Sequence, residues 1–493
     1  MYTRLALASV LLALTCLKGT AQNPESAITG IHQEQSEYYS AVYGTSIPAG
    51  MASPEMPVAL KSRKTIEPAF MVYGWHPYWA GTNAYLSYDY DVLTHIAYFS
   101  YEVDTASGSY TTLRGWDVTP VIGYAHQRGV KVMLTVTNFG SERNTKILTD
   151  TVKQWTLINT LITQLQSRNG DGVNFDFESV PSSMKANMVS FCKRAVRGIK
   201  AALPQAEISF ATPPVNWSDG WDLAGLAANC DYLIMMGYNY YYGGSATAGP
   251  VAPLKGENYN VTKSIEEEYV ADGVPRSKLL MGMPWYGYDW PVVSDVRKAA
   301  TTGAGTSRIY SASIPMVTSY GKTFDNTTGV PWMSYQGTTG WRQMWFEDSL
   351  SLLMKSNYAF THDLAGIGIW ALSYEGGRKE IWNGIKAVMA GTVSSDEPPL
   401  YPGSNGNIIT AITPNPALAD AVIHYYISNP GRMTLTVYDS GGRLVALLAE
   451  GQAFPGAWTE TINAGVLPPG LYFCVLTTPG GRHSVKFAVA GKY

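Results

Sequence analysis

The chain has 493 residues, 35 Lys and Arg against 38 Asp and Glu, and 46% hydrophobic residues. That length exceeds one ordinary core and calls for about two domains, and the balanced charge leaves no basic excess for a phosphate backbone, which excludes nucleic acid as a partner class. Seven His without an HExxH-type cluster give no support to metal catalysis, and neither metal nor other cofactor is implied.

Residues 1–21 read as a signal peptide: Arg4 precedes an apolar run from Leu5 to Leu17, and Gly19, Thr20 and Ala21 stand before Gln22. Thr15 before Cys16 argues against lipidation there. No later apolar run is long enough for a transmembrane span. Residues 22–66 form an N-terminal extension without sustained periodicity, with one short helix expected near Glu34 to Tyr43 and no visible chemistry.

From Met71 the texture changes to short β-branched and aromatic runs alternating with helical patterns. The expected strands are Met71–Trp75, Leu93–Phe99, Val130–Thr137, Gly172–Glu178, Glu207–Thr212, Tyr232–Tyr238, Lys278–Trp285 and Gly366–Leu372. Between the fourth and fifth, Met184, Met188, Phe191, Ala195, Ile199 and Ala202 make one apolar helical stripe. Eight such strands point to a TIM (β/α)8 barrel over residues 67–390. The stretch from Tyr286 to about Trp345 is expected to add a small lobe between strands seven and eight, in which Trp332, Trp341 and Trp345 either face substrate or hold the lobe together.

Pro, Gly and Ser mark residues 391–405 as a linker. Residues 406–493 alternate in short runs (Ala421–Ile427, Met433–Tyr438, Ala457–Ile462, Gly470–Thr477, Ser484–Val489) and describe a small C-terminal β-sandwich. Cys192, Cys230 and Cys474 are too sparse for a disulfide scaffold, and buried free thiols are the favoured reading over a Cys192–Cys230 pair.

The informative segment is Asp171-Gly172-Val173-Asn174-Phe175-Asp176-Phe177-Glu178. Its period of two puts Asn174, Asp176 and Glu178 on one face. In an isolated strand such alternation usually marks only a wet face. Within a βα series both faces are covered, so the polar row points into the barrel, with Glu178 at the C-terminal end where barrel enzymes carry their chemistry. Asp171, of opposite parity, is expected to close the start of the strand.

This segment resembles the DxxDxDxE pattern of glycoside hydrolase family 18, with Asn174 replacing the middle Asp. Met236-Gly237-Tyr238-Asn239 resembles the family's MxYD or MxYN segment, and Trp370 in Gly368-Ile369-Trp370 its strand-eight tryptophan. The resemblance implies a glycosidase of the chitinase-like kind. In it Glu178 is the acid and then the base, Asp176 orients the 2-acetamido group of the substrate, and Tyr238 bonds its carbonyl. Met236 and Asn239 line that pocket and Trp370 floors it. No enzyme nucleophile is needed, because the acetamido oxygen attacks the anomeric carbon in a retaining, substrate-assisted reaction. Asn174, Trp285 and Tyr286 complete the candidate substrate-binding set, and the 14 Trp and 33 Tyr suit a cleft in which rings stack on sugars, although most aromatics fill cores.

A carboxyl beside Asp176 in a covered cleft resists ionisation, which suits Glu178 to its acid role. Asn174 removes the proton sharing between two interior aspartates. Together with Leu134-Thr135-Val136-Thr137-Asn138-Phe139 on strand three, it moves weight toward the spore-cortex and peptidoglycan branch. The leading substrate is a β-1,4-linked N-acetylglucosamine polymer such as chitin. Cleavage in peptidoglycan or N-glycans is the runner-up, and a non-catalytic chitin-binding lectin the alternative from another class.

In the last ninety or so residues, Pro414-Asn415-Pro416, Val437-Tyr438-Asp439, Gly442-Arg443-Leu444-Val445, Gly470-Leu471-Tyr472 and Lys486 resemble the type A sorting domain of the type IX secretion system. That resemblance implies secretion machinery as a partner and passage through the periplasm to the outer surface or medium. A monomer is the default.

Overall fold

Strand alternation across Gly172–Glu178 sorts its residues between two environments. Phe175 and Phe177 turn outward and pack on Phe191 of the helix Lys185–Ala202, with ring centroids at 5.1 and 5.6 Å. Asn174, Asp176 and Glu178 take the other face and are buried inside the barrel. The apolar helix stripe and the polar strand row are therefore two consequences of one parity.

The computed structural model describes residues 30–45, 59–61, 70–391, 408–427, 431–453 and 456–490. The signal peptide, the stretch 46–58 and most of the linker lie outside them. Eight parallel strands close on themselves: β1 (Met71–Pro77), β2 (His95–Val103), β3 (Lys131–Phe139), β4 (Gly172–Glu178), β5 (Glu207–Thr212), β6 (Tyr232–Met235), β7 (Leu279–Pro284) and β8 (Gly366–Trp370). Closure runs through β8 beside β1, with Met71 opposite Gly366, and β1 beside β2, with Tyr73 opposite His95. The sequence boundaries of β4 and β5 match those observed. β6 stops three residues earlier than expected, because the backbone turns tightly there, Gly237 N bonding Met235 O and Tyr238 N bonding Met236 O. That turn lifts Tyr238 and Asn239 onto the C-terminal rim.

Asp171 closes the start of β4 as its parity suggests, accepting from Val132 N at 2.6 Å and contacting His126 Nε2 at 2.7 Å. At the other end, Asn138 donates to Asn144, and Asn144 and Gly140 donate to the carbonyl of Glu178. The C-terminal end of β4 is thus anchored through its backbone, leaving the Glu178 side chain to the barrel mouth.

The expected lobe after β7 is a five-stranded antiparallel sheet in the order Thr306–Ile309, Tyr286–Pro291, Gly340–Trp345, Val330–Gly337, Thr323–Asp325. Trp332 stacks on the fully buried Trp345 at 5.5 Å and 16°, so these two rings hold the lobe together. Two antiparallel sheets of three and four strands follow the barrel. Strands Ile408–Thr413 and Leu444–Ala453 were not among those expected from the sequence; the second has a mostly part-exposed pattern without clean alternation. Cys192, Cys230 and Cys474 are buried thiols, and the Cys192 thiol is pushed up by its hydrogen bond to Cys230 as well as by burial. Among the described residues no helix is long and apolar enough to cross a membrane.

Candidate active site

Because β4 carries Asp176 and Glu178 two residues apart on its inward face, both carboxylates reach the C-terminal mouth of the barrel. Tyr238 enters from the turn after β6, and Trp370 from the end of β8. Tyr286 donates to Asn239 Oδ1 at 2.5 Å and so links the lobe to that turn. Burial pushes the Tyr238 phenol well above its usual 10, and the charges of Asp176 and Glu178 push it further, so the hydroxyl is a hydrogen-bond donor. An open part of the cleft, a pocket of about 60 Å³, is lined by Glu178, Met236, Tyr238, Asn239, Trp217 and Pro213 among others.

The other part of the cleft is filled by the chain itself. Helix α1 (Ile31–Tyr43) lies across the mouth and puts His32 at its centre. His32 Nδ1 is 2.8 Å from Asp176 Oδ2, and Nε2 is 2.8 Å from the Tyr238 hydroxyl. Its ring stacks on Trp370 with centroids 3.6 Å apart and planes at 28°. Glu178 Oε1 is 3.8 Å from Nδ1. In the tautomer with its proton on Nδ1, His32 donates to Asp176 and accepts from the Tyr238 hydroxyl. Gln35 Oε1 accepts from Trp370 Nε1 at 3.0 Å and from Tyr374 at 2.6 Å. Tyr288 donates to Glu34 at 2.7 Å, and burial outweighs that bond to raise the Glu34 carboxyl. Lower down, Tyr39 stacks on Trp79 at 4.5 Å and 12°, while Arg114 holds the Gly44 carbonyl and Ser40.

Two expected substrate contacts are placed elsewhere. Trp285 is fully buried and turned against Trp382 of helix Glu380–Met389 at 4.9 Å, on the outer side of β7's end, because it alternates with Tyr286. Asn174 is engaged at both ends of its amide below the mouth, its Oδ1 accepting from Trp75 Nε1 and its Nδ2 donating to Ser209. It braces the barrel interior rather than lining the cleft. Glu375 is buried as well, its carboxyl pushed up to about 7 by desolvation.

The N-terminal extension, read from sequence as carrying no chemistry, supplies His32, Glu34 and Gln35. The signal was a stripe at helical spacing, His32, Gln35, Ser36, Tyr39 and Tyr43, whose polar character hid it from a search for apolar periodicity. Tyr288, Tyr374 and Trp217 were missed too, since nothing local distinguishes them from other aromatics. One nitrogen of His32 and one oxygen each of Asp176 and Glu178 lie within 4.8 Å of one another, a set that could ligate a cation. Here both ring nitrogens of His32 are already engaged in hydrogen bonds.

Comparison with known proteins follows the same geography. Residues 70–375 match the family model of Glycosyl hydrolases family 18. Human di-N-acetylchitobiase is 23% identical over 342 residues, covering 62% of this chain and 82% of that protein. The cortical fragment-lytic enzyme of Bacillus anthracis is 26% identical over 301 residues, 57% of this chain and 65% of the relative. One Bacillus subtilis relative is matched over 59% of its length. The fold is that of a Cycas revoluta chitinase of the same family in complex with (GlcNAc)3, with a TM-score of 0.58 at 18% identity over 66% of this chain and all of that one.

Proposed function

As the chain belongs to glycosyl hydrolases family 18 and is a glycosidase, we propose that it cleaves β-1,4 bonds of N-acetylglucosamine polymers with retention, the substrate's own acetamide acting as nucleophile. The supporting observation is convergence: Asp176, Tyr238 and Trp370 all grip one flat ring, with Glu178 beside it. A sugar in that position meets an acceptor for its acetamido N–H in Asp176 and a donor to its carbonyl in Tyr238. Glu178 then protonates the glycosidic oxygen, the bond from that oxygen to the anomeric carbon breaks, and the acetamido oxygen bonds to the carbon to give an oxazolinium ion. The Glu178 carboxylate next takes a proton from water, whose oxygen opens the ring and restores the original configuration.

Similarity to the cortical fragment-lytic enzymes, together with Asn174 and the strand-three sequence, favours peptidoglycan as the second substrate. The C-terminal sheets carry the segments that resemble a type IX sorting domain, and on that reading the protein is exported to the cell surface or medium. Release of reducing ends from chitin oligosaccharides and from purified peptidoglycan, with wild type beside Glu178→Gln, tests the assignment. Cleavage of chitin oligomers that vanishes in the variant supports the first reading. Cleavage of peptidoglycan alone moves it to the second, and binding without cleavage of either, even after substitution of the α1 side chains that fill the cleft, sinks the hydrolase and leaves a lectin.

A further inference from the structure

Helix α1 is too short to be stable alone, since isolated helices of fewer than about 12–15 residues are marginal in water. Its 13 residues are ordered by what they touch. What they touch is the catalytic cleft, and beside Ile31 the buried residues His32, Gln35 and Ser36 are polar where an ordinary packing helix would be aliphatic. His32 and Gln35 meet Asp176, Tyr238, Trp370 and Tyr374 through side-chain hydrogen bonds. A helix placed only to cover the barrel would not need them.

The hydrogen-bond pattern of His32 identifies what it imitates. With its proton on Nδ1, the ring offers one N–H donor to Asp176 and one lone pair to Tyr238, the same donor and acceptor pair that a secondary amide offers. The ring lies flat on Trp370, as a pyranose would. Gly30 completes the fit at the N-terminus of α1: a Cβ there would stand 1.8 Å from Glu178 Oε2, so this backbone rests directly on the acid. A sugar and this segment cannot occupy the site together.

We propose that helix α1 is a built-in competitive inhibitor, with His32 standing in for the acetamido group of an N-acetylhexosamine, and that the chain as synthesised is latent until the helix leaves the cleft. This rests on the reading of the cleft as an N-acetylhexosamine site. Helix and cleft belong to one chain, so the helix acts as an intramolecular ligand, for which effective concentrations reach the order of millimolar. Oligosaccharide therefore competes poorly with α1 unless it is abundant or the helix is loosened. Tyr39 on Trp79 and Arg114 on the Gly44 carbonyl fasten the far end, outside the sugar position.

The test uses the full chain with His32→Ala/Gln35→Ala and, separately, with Glu34→Ala, read against wild type on N-acetylchitooligosaccharides. Loss of one hydrogen bond to a charged group is enough for about a tenfold change. The expected result is a rise in kcat/KM of at least about tenfold for the double variant and a smaller rise for Glu34→Ala, with both gains abolished by adding Glu178→Gln. Rates equal to wild type, or lower, overturn the proposal; a fall would make His32 a participant in the chemistry. Hydrogen exchange of the amides in residues 35–43 gives a readout that needs no hydrolysis. Those amides are expected to be protected in wild type and exposed by saturating N-acetylchitotriose or by the double substitution. If no form of the protein cleaves any substrate, the hydrolase reading fails and exchange alone decides: free-peptide rates in wild type, or protection unmoved by the sugar, overturn the inhibitor, and protection lost on adding the sugar supports it.

Discussion

His32 and Asp176 are 144 residues apart in sequence and 2.8 Å apart in the barrel mouth, where neither side chain has any exposed surface. An acid on the interior face of β4 therefore meets a helix of the N-terminal extension at the place proposed above for an N-acetyl sugar. This contact links the chemistry of the site to the state of a segment outside the barrel.

Tyr238 places an uncharged hydroxyl beside His32, and its raised pKa keeps its proton in place through the working range. Tyr238→Phe is expected to lower kcat by about a hundredfold, the effect of losing one preorganised donor at a developing charge, with a small change in KM. Steady-state kinetics on a chitooligosaccharide check it. A fall of less than about threefold removes Tyr238 from the mechanism.

Asn174 stands lower in the same row and is expected to act on stability alone. Asn174→Ala strands the Trp75 indole N–H in the barrel interior, removes the donor to the Ser209 hydroxyl and leaves a small cavity. The cost should be roughly 2–4 kcal/mol, as for other buried donors left without acceptors. Urea unfolding gives the number, and a variant as stable as wild type contradicts the bracing role.

Glu207 joins β5 to β2 and β3. Burial pushes its carboxyl up, but hydrogen bonds and charge from His95 and Lys131 outweigh this and hold it at about 2, against an ordinary 4.5. A depressed carboxyl stabilises the fold above the unfolded value and ceases to do so as pH falls through the folded one. Stability on the order of 3 kcal/mol is thus expected to disappear between pH 4.5 and about 2. Thermal melts across that interval should show a shallower acid limb in Glu207→Gln.

Lys355 and Glu347 form an ion pair at 2.8 Å with both side chains 1% exposed. Burial pushes the Glu347 carboxyl up to about 7 despite its partner, so the pair is held under a large desolvation load. Lys355→Met, which leaves that carboxyl alone, is expected to destabilise by about 3–5 kcal/mol. Replacing both, with Glu347→Leu, should recover most of the loss. Equal melting temperatures for the single and double variants would show that the pair carries no such load.

The sequence by itself determined the barrel and the inward face of β4, with Asp176 and Glu178 on it. These follow from short-range rules: a period of two fixes which residues share a face, and βα alternation fixes that both faces are covered. The same parity placed Asp171 at the strand's start, where the structure finds it closing β4. Adjacent positions whose surroundings come from distant segments escaped those rules. Trp285 and Tyr286 are equally aromatic and consecutive, and only the arrival of helix Glu380–Met389 behind β7 and of Asn239 in front decides which of them faces the cleft. Asn174 and Asp176 share a face, yet Trp75 and Ser209 engage the first while the second is left for His32.

Helix α1 is the extreme case. Its existence near Glu34 to Tyr43 was legible, but its buried face was not, because a helix that packs on polar groups carries no apolar stripe. Which side of a short polar helix is inside depends on the surface it meets. Asp176, Tyr238 and Trp370 make that surface only when β4, the turn after β6 and the end of β8 have come together. Tertiary structure alone therefore decided that His32 lies against the acids, since a histidine's partners are set by three-dimensional reach and not by spacing along the chain.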